Sequence, residues 1–227
     1  MNLLQLSRQL VNRNRQVETG HRKVWNRNLL VLSDIHEDRL EMDPSYQPDF
    51  VLFLGDIPSH VIQDVDTKFS CPKFGVLGNH DGLDYFDGTS VLNLHGNVVQ
   101  VDGITFAGFG GSPRYNEWKD DVQFTEDEAR AFLDQLGYVD VFLAHSNAKG
   151  IGTVREARVI ENPLDDFMYR SRRTGMDTAH DGFQALADYI HRAQPAYVLH
   201  GHIHREWNQQ VGETVVHAVH KAKRMVI

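Results

Sequence analysis

The sequence predicts a single α/β domain, and three observations support this class. Short apolar runs of strand length recur from residue 29 onward, and most end in polar or acidic residues. Segments with helical periodicity lie between them, at 125–137 and 181–194. The length of 227 residues, with 41% hydrophobic residues, suits one large domain with a substantial core. Continuous apolar runs are typical of strands covered on both faces, as in parallel sheets.

The amino terminus is predicted to be an extension of this domain. Leucines at helical spacing indicate a short amphipathic helix over 2–12, followed by a polar stretch rich in Asn and Arg. Arginines interrupt the segment, so it lacks the continuous apolar region of a secretory signal. We expect one domain over 1–227, with an extension at 1–27 and the core at 28–227.

The elements of the core follow in order. Alternation around Asp102-Gly103 predicts a hairpin over 97–111, and a second hairpin is predicted around Gly212-Glu213. The helix at 125–137 begins with a Thr125/Glu128 capping box and is expected to close at Gly137, while the helix at 181–194 stops before Pro195. Five apolar runs predict buried strands: LLVLSDIH (29–36), FVLFLGD (50–56), FGVLGNHD (74–81), VDVFLAHS (139–146) and YVLHGHIH (197–204).

Charge and cysteine content limit the classes of function. The formal net charge is −8, which disfavours stable nucleic-acid binding through counterion release. The single cysteine, Cys71, precludes an internal disulfide and suits a reducing compartment. No run reaches the roughly 18 apolar residues of a membrane helix. We therefore expect a soluble, cytoplasmic protein without a membrane partner, and the sequence leaves its oligomeric state open.

The segment VLHGHIHREW at 198–207 has histidine at three alternate positions, His200, His202 and His204. Alternate residues of a strand point to one face, so this pattern could produce a packed face, a run of solvated imidazoles or a metal site. Two histidines alone cannot saturate a metal ion, so further ligands would have to come from elsewhere in the chain.

Such ligands follow the other predicted strands. Loops from neighbouring strands converge at the carboxyl edge of an open α/β sheet, so their polar side chains are expected to lie together. Seven oxygen or nitrogen ligands exceed the needs of one tetrahedral ion but suit two ions that share a carboxylate. Two such ions, about 3.5–4 Å apart, are a common device for phosphoryl chemistry. The seven candidates are Asp34, His36, Asp56, Asn79, His145, His202 and His204.

Five short motifs occur in order along the chain: Asp34-Ile-His36, Gly55-Asp56, Gly78-Asn79-His80-Asp81, His145 and Gly201-His202-Ile-His204. In these motifs, from residue 34 to 204, the chain resembles the calcineurin-like metallophosphoesterase superfamily. The resemblance implies a four-layer α/β/β/α sandwich of two mixed sheets flanked by helices. It also implies a metal site at the carboxyl ends of the strands, holding two divalent ions, with Mn²⁺ favoured and Fe or Zn as alternatives.

The resemblance also implies a role for each motif residue. Asp34, His36 and His204 would hold the first ion, Asp56 would bridge, and the second ion would be completed by Asn79, His145 and His202. A hydroxide bridging the ions would attack phosphorus in line, because cations lower the pKa of bound water. His80 would be the general acid, and Asp81 would orient His80 and favour its protonated form. Taken singly, several of these residues also suit caps, turns or the core.

The sequence indicates substrate-binding residues less clearly than it indicates metal ligands. Asn79 and, in the glycine-rich segment 108–115, Arg114 and Tyr115 are candidates, although that segment also suits a flexible turn. The arginine-containing segment 154–178 is equally compatible with a specificity loop and with a solvated loop. His200 belongs to no motif, so we expect it to pack or to support the site from behind.

The favoured activity is hydrolysis of a small or nucleotide phosphodiester. Protein phosphatases of the superfamily carry an arginine shortly after the motif that contains His80, whereas GLDYFDG (82–88) contains none. A monoester carries more negative charge and gains more from such a clamp. The alternatives are a phosphomonoesterase and a non-catalytic protein-binding scaffold. The scaffold is disfavoured, because the superfamily's retromer subunit lacks the catalytic histidine that this chain retains as His80.

Overall fold

The computed structural model describes residues 25–36, 40–43, 45–115, 122–152 and 179–227. Its helices are α1 (Ser59–Lys68), α2 (Glu126–Leu133) and α3 (Gln184–Ala193), with a short 3-10 helix at Ala179–Asp181. Its strands are β1 (Asn28–Ser33), β2 (Phe50–Phe53), β3 (Lys73–Gly75), β4 (Leu92–Asn93), β5 (Asn97–Val101), β6 (Ile104–Phe109), β7 (Ser112–Pro113), β8 (Gln123–Phe124), β9 (Val141–Ala144), β10 (Tyr197–His200), β11 (Trp207–Val211), β12 (Thr214–Ala218) and β13 (Lys221–Val226).

Two mixed sheets form the centre of the domain. The first sheet has the order β13-β1-β2-β3-β4, in which β1 to β4 are parallel and β13 is an antiparallel edge. The second sheet has the order β11-β12-β10-β9-β6-β5, with four parallel central strands and antiparallel edges. Strands β7 and β8 form a separate small pair. In each sheet, the parallel strands therefore carry their carboxyl ends to a common edge.

Alternate residues of the central strands bury two different faces. Leu29 and Val31 of β1 face the second sheet, in a core that includes Val141 and Leu143 of β9. The intervening Leu30 of β1 packs in a separate core with α1. On the far side of the second sheet, the other face of β9 packs against α2 and α3. The layers are thus α1, first sheet, second sheet, and α2 with α3, which confirms the predicted four-layer sandwich.

Most predicted elements are confirmed, with differences at their ends. All five apolar runs contain strands, and both hairpins form around the expected turns. The capping box of Thr125 and Glu128 is present, but α2 ends at Leu133 rather than at Gly137. Helix α1 and strand β13 were not predicted. The predicted helix at 2–12 and the arginine-containing segment 154–178 lie outside the described residues. In the part of the chain that is described, no helix has the length and apolarity needed to cross a membrane.

Candidate metal centre

The two sheets meet where their parallel strands end, and backbone hydrogen bonds fix the loops there. Asp34 N–H donates to Gly55 O at 3.1 Å, which joins the ends of β1 and β2. Gly201 N–H donates to His145 O at 3.0 Å, which joins the ends of β10 and β9. The His145 ring then crosses between the sheets, with its Nδ1 2.8 Å from Leu54 O. All seven predicted ligands follow strands that end in this region.

One group of predicted ligands lies at the open side of the site. His36 Nε2 and His204 Nε2 are 3.3 Å apart, and His204 Nε2 is 3.5 Å from Asp34 Oδ1. Asp34 is fully buried, and its Oδ2 accepts hydrogen bonds from Ser33 Oγ at 2.9 Å and from His202 N–H at 2.8 Å. Its Oδ1 is also buried but has no hydrogen-bond partner among the described residues. That oxygen and the two imidazole nitrogens form a donor set that suits a divalent cation.

A second group lies deeper, around His145. Because Leu54 O can only accept, His145 Nδ1 must donate to it, so Nε2 faces the oxygens on its other side. These oxygens are Asn79 Oδ1 at 3.0 Å and Asp56 Oδ2 at 3.4 Å. A lone pair on Nε2 would repel both oxygens unless a proton or a metal ion lies between them. The donor set therefore fits a cation.

His202 completes this deeper group. One ligand atom each from Asp56, His145 and His202 lies within 4.8 Å of the others, and all three side chains are buried. The ring centroids of His145 and His202 are 4.9 Å apart. Imidazole and carboxylate ligands of this kind suit Mn, Fe or Zn, and Asp56 contributes an oxygen to the group.

The buried charges of this region shift one another's pKa values. Burial alone would lower the pKa of His145, but the Asp56 carboxylate outweighs burial and raises it to about 9. Burial alone would raise the pKa of Asp56, but His145 and the backbone N–H of His80 hold it well below its usual range. Burial lowers the pKa of His204, although Asp34 opposes this effect. The negative charge of Asp56 thus attracts positive charge to the site.

Unusual backbone geometry aims these side chains. Asp34, Asp56, His202 and His204 all have positive φ, between 51° and 69°. Gly55 has a φ of 92°, and a Cβ there would lie 2.3 Å from Gly78 N. The strand alternation that would align His200, His202 and His204 therefore ends with β10 at His200, since both later histidines lie in sharp turns.

His80 and Asp81 leave the turn in different directions. His80 is exposed, and its backbone N–H donates to Asp56 Oδ1 at 2.9 Å. The Asp81 carboxylate instead accepts three backbone N–H groups, from Gly78 at 2.7 Å, Asp56 at 2.9 Å and Ile57 at 3.1 Å. Burial, reinforced by Asp56, raises the pKa of Asp81 to about 6. These contacts tie the Asp81 carboxylate to the backbone of two loops, and the role of Asp81 in orienting the His80 ring stays a prediction.

Of the predicted substrate-binding residues, Tyr115 lies beside Asn79, whereas Arg114 is held by other contacts. Tyr115 OH lies 3.4 Å from Asn79 Nδ2, so this side chain reaches the edge of the site. Arg114 instead donates to Gln123 O at 3.0 Å and lies 3.9 Å from a carboxylate oxygen of Glu128. The guanidinium is therefore held by the β7–β8 region.

His200 packs, as predicted. Its side chain is fully buried, Nδ1 is 3.0 Å from Gly201 O, and the ring meets Trp207 edge-on at 5.8 Å. Sequence reasoning did not assign the site two further histidines. His180 stacks on His202, and His220 stacks on His204. His180 precedes a predicted helix and His220 follows the second predicted hairpin, but neither belongs to a motif, so no local signal assigned them to the site.

Comparison with known proteins agrees with this geometry. The chain matches the family model described as calcineurin-like phosphoesterase over residues 27–206. No curated protein matches the sequence. Among solved structures, TT1561 of Thermus thermophilus has 14% identity and a TM-score of 0.55, covering 88% of this chain and 99% of that one. The phosphopantetheinyl hydrolase of Mycobacterium tuberculosis has 14% identity and a TM-score of 0.56, covering 86% and 90%.

At these identities, the two solved structures show a shared fold. The family model adds sequence evidence, because it spans most of the chain and includes all five motifs. The resemblance noted from the motifs is thus confirmed, and the chain belongs to the calcineurin-like phosphoesterase family.

Proposed function

We propose that this protein is a phosphodiesterase that uses two divalent metal ions, with Mn²⁺ favoured. The observation that carries the proposal is the meeting of two donor groups, one around Asp34 and the other around His145, each built from the ends of strands of both sheets. The buried Oδ1 of Asp34, which has no hydrogen-bond partner among the described residues, and the oxygens that face His145 Nε2 both favour a positive charge nearby. When bound, divalent ions would supply a water of lowered pKa and neutralise charge on the phosphoryl oxygens.

The chain's own residues divide into two ligand sets. Asp34, His36 and His204 would hold the more open ion. His204 Nε2 lies 3.3 Å from His36 Nε2 and 3.5 Å from Asp34 Oδ1, so the three side chains can share one ion. The buried ion would be held by Asn79, His145 and His202. Asp56 would serve both sets, since its carboxylate lies against His145 and its backbone is bonded to the loop after β1.

His80 is our candidate for the general acid. Its side chain is exposed at the mouth of the site, while its backbone N–H is fixed by Asp56. The imidazole can thus reach a substrate without giving up a buried contact, and it would donate a proton to the leaving oxygen. Asp81 would keep the turn in place through its three backbone hydrogen bonds, so its contribution is to position His80 and Asn79.

The preference for diesters is supported by two arginine positions at which the described residues offer no clamp for the phosphate. Segment 82–88 contains no arginine, and the Arg114 guanidinium is held by Gln123 and Glu128. A dianionic monoester would benefit more than a diester from an arginine clamp. Tyr115, which contacts Asn79, would instead offer a neutral hydroxyl to a phosphoryl oxygen.

A direct test compares hydrolysis of bis(p-nitrophenyl) phosphate and p-nitrophenyl phosphate by the full chain with Mn²⁺. We expect faster turnover of the diester and a loss of about 10²–10⁴-fold in kcat for His80→Ala. His191→Ala is the matched control, because this histidine is exposed on α3. Absence of turnover with either substrate would contradict an esterase, and a clear preference for the monoester would favour a phosphomonoesterase.

A further inference from the structure

Two histidines outside the family motifs lie face to face with ligand histidines. The His220 ring is nearly parallel to that of His204, with centroids 5.4 Å apart and an angle of 16° between the planes. The His180 ring stacks on His202 in the same manner, at 4.6 Å and 18°. Each histidine of the Gly201–His204 motif thus has its own imidazole partner.

Independent parts of the fold bring these two partners to the site. His220 immediately precedes β13, and the antiparallel register pairs Lys221 with Ser33 at the end of β1. This pairing places His220 beside the loop that carries Asp34. His180 lies in the 3-10 helix before α3, where Phe183 N–H donates to Asn147 O at 3.1 Å. That bond ties the segment of His180 to the loop that follows His145.

The stacks restrain two ligand rings that the sheet itself does not restrain. His202 and His204 follow a strand end, where regular sheet pairing no longer restrains them. His204 is also about half exposed, with a relative side-chain accessibility of 49%. A metal ligand must present one nitrogen in a fixed direction, and neighbouring groups usually impose that direction. A parallel ring restricts rotation of the imidazole out of its plane.

The His220 ring itself is held by packing. Its Nδ1 is buried and has no hydrogen-bond partner in the part of the chain that the structure describes. A face-to-face contact with His204 therefore accounts for its placement better than a hydrogen bond at that nitrogen.

We infer that His220 and His180 are positioning residues, one for each metal ion. His220 orients His204 for the open ion, and His180 orients His202 for the buried ion. This inference rests on the proposed two-ion function, since each stack is assigned to a different ligand set. It predicts that the two positions affect metal binding separately, although neither belongs to a motif.

The test is calorimetric titration of the metal-free full chain with Mn²⁺. We expect His220→Ala to weaken one binding step by about three- to tenfold, the range of an aromatic stacking contact, and His180→Ala to weaken the other step similarly. His220→Phe keeps a flat ring and should restore most of the affinity, whereas His220→Leu fills space without a flat face and should not. The Co²⁺-loaded protein gives a second readout, because its visible absorption depends on ligand geometry.

The outcomes separate this inference from the proposed function. If the wild-type chain binds fewer than two ions, the two-ion proposal fails first, and the assignment of the stacks to separate ions fails with it. If the wild-type chain binds two ions and both alanine variants bind them unchanged, only the inference about His220 and His180 is overturned. Equal weakening by His220→Phe and His220→Ala would also overturn it, because the imidazole nitrogens rather than the flat face would then matter. Circular dichroism of each variant confirms folding.

Discussion

Gly201 offers the sharpest test of how the site is built, through the substitution Gly201→Ala. A Cβ at this position would lie 1.8 Å from Ser33 Oγ and 2.6 Å from Asp34 Oδ2. Ordinary van der Waals contacts of a Cβ begin near 3.4 Å. Both neighbours are fully buried, so neither can move into solvent. The new methyl group must therefore displace the end of β1 or the start of the histidine loop.

The expected loss of stability has two parts. Insertion of a methyl group into a well-packed region costs about 1–3 kcal/mol. Rotation of Ser33 away from the methyl group breaks its 2.9 Å hydrogen bond to Asp34, which costs about 1 kcal/mol more. We therefore expect the free energy of unfolding to fall by about 2–4 kcal/mol. Because Asp34 is a proposed ligand, Mn²⁺ affinity should fall by about tenfold or more.

Urea denaturation of the metal-free protein measures the first effect, and calorimetric titration with Mn²⁺ measures the second. Gly137→Ala is the matched control, because a Cβ at Gly137 meets nothing within 4 Å. This control should be neutral or more stable by about 0.4–1 kcal/mol, since alanine restricts the unfolded chain. Wild-type stability together with wild-type Mn²⁺ affinity in Gly201→Ala would refute the close packing of Gly201 against the Asp34 loop.

Three further predictions concern His200, His95 and the bound metal. His200→Ala should lose about 2 kcal/mol through a cavity beside Trp207 yet keep its metal content, and loss of a full metal equivalent by mass spectrometry would contradict its packing role. His95 Nδ1 accepts a hydrogen bond from Gly110 N–H at 3.1 Å, and burial lowers the pKa of His95. The free energy of unfolding should therefore fall as the pH drops below about 6.5, because the unfolded chain binds a proton more readily there. Urea unfolding over this pH range should show a smaller decrease for His95→Phe than for the wild type. Removal of Mn²⁺ with EDTA should lower stability by about 2.7 kcal/mol relative to a metal concentration of 100 Kd, and an unchanged urea midpoint would contradict binding to the folded state alone.

The ligands could be predicted from the sequence because the strands that carry them could be predicted. The apolar runs form strands that are buried on both faces, and each run carries a metal-binding side chain at or near its end. Parallel strands bring such ends together whatever the details of their loops, so Asp34, Asp56 and His145 could be placed at one edge. The ordering of the motifs then identified the family.

Other features depend on contacts that are distant in sequence. Strand β13 alternates between exposed and partly buried residues, and its pairing with β1 spans nearly the whole chain. No local pattern therefore places His220 beside His204. The backbone contacts of Asp81 could not be predicted either, because an aspartate next to a histidine suggests a pair, whereas its carboxylate accepts from backbone N–H groups of two separate loops.

Backbone strain links the fold to the site. Within the described residues, eight non-glycine positions have positive φ, and four of them are proposed ligands: Asp34, Asp56, His202 and His204. A side chain in this conformation costs about 1–2 kcal/mol, and a strand could end without it. The chain accepts the cost where it redirects a side chain from the sheet's face into the gap between the sheets. Aspartate and histidine adopt this conformation more often than most other side chains, so these residue types suit a turn that must also direct a ligand. The buried cores on both faces of β1 and β9 supply the rigidity that keeps these turns in place.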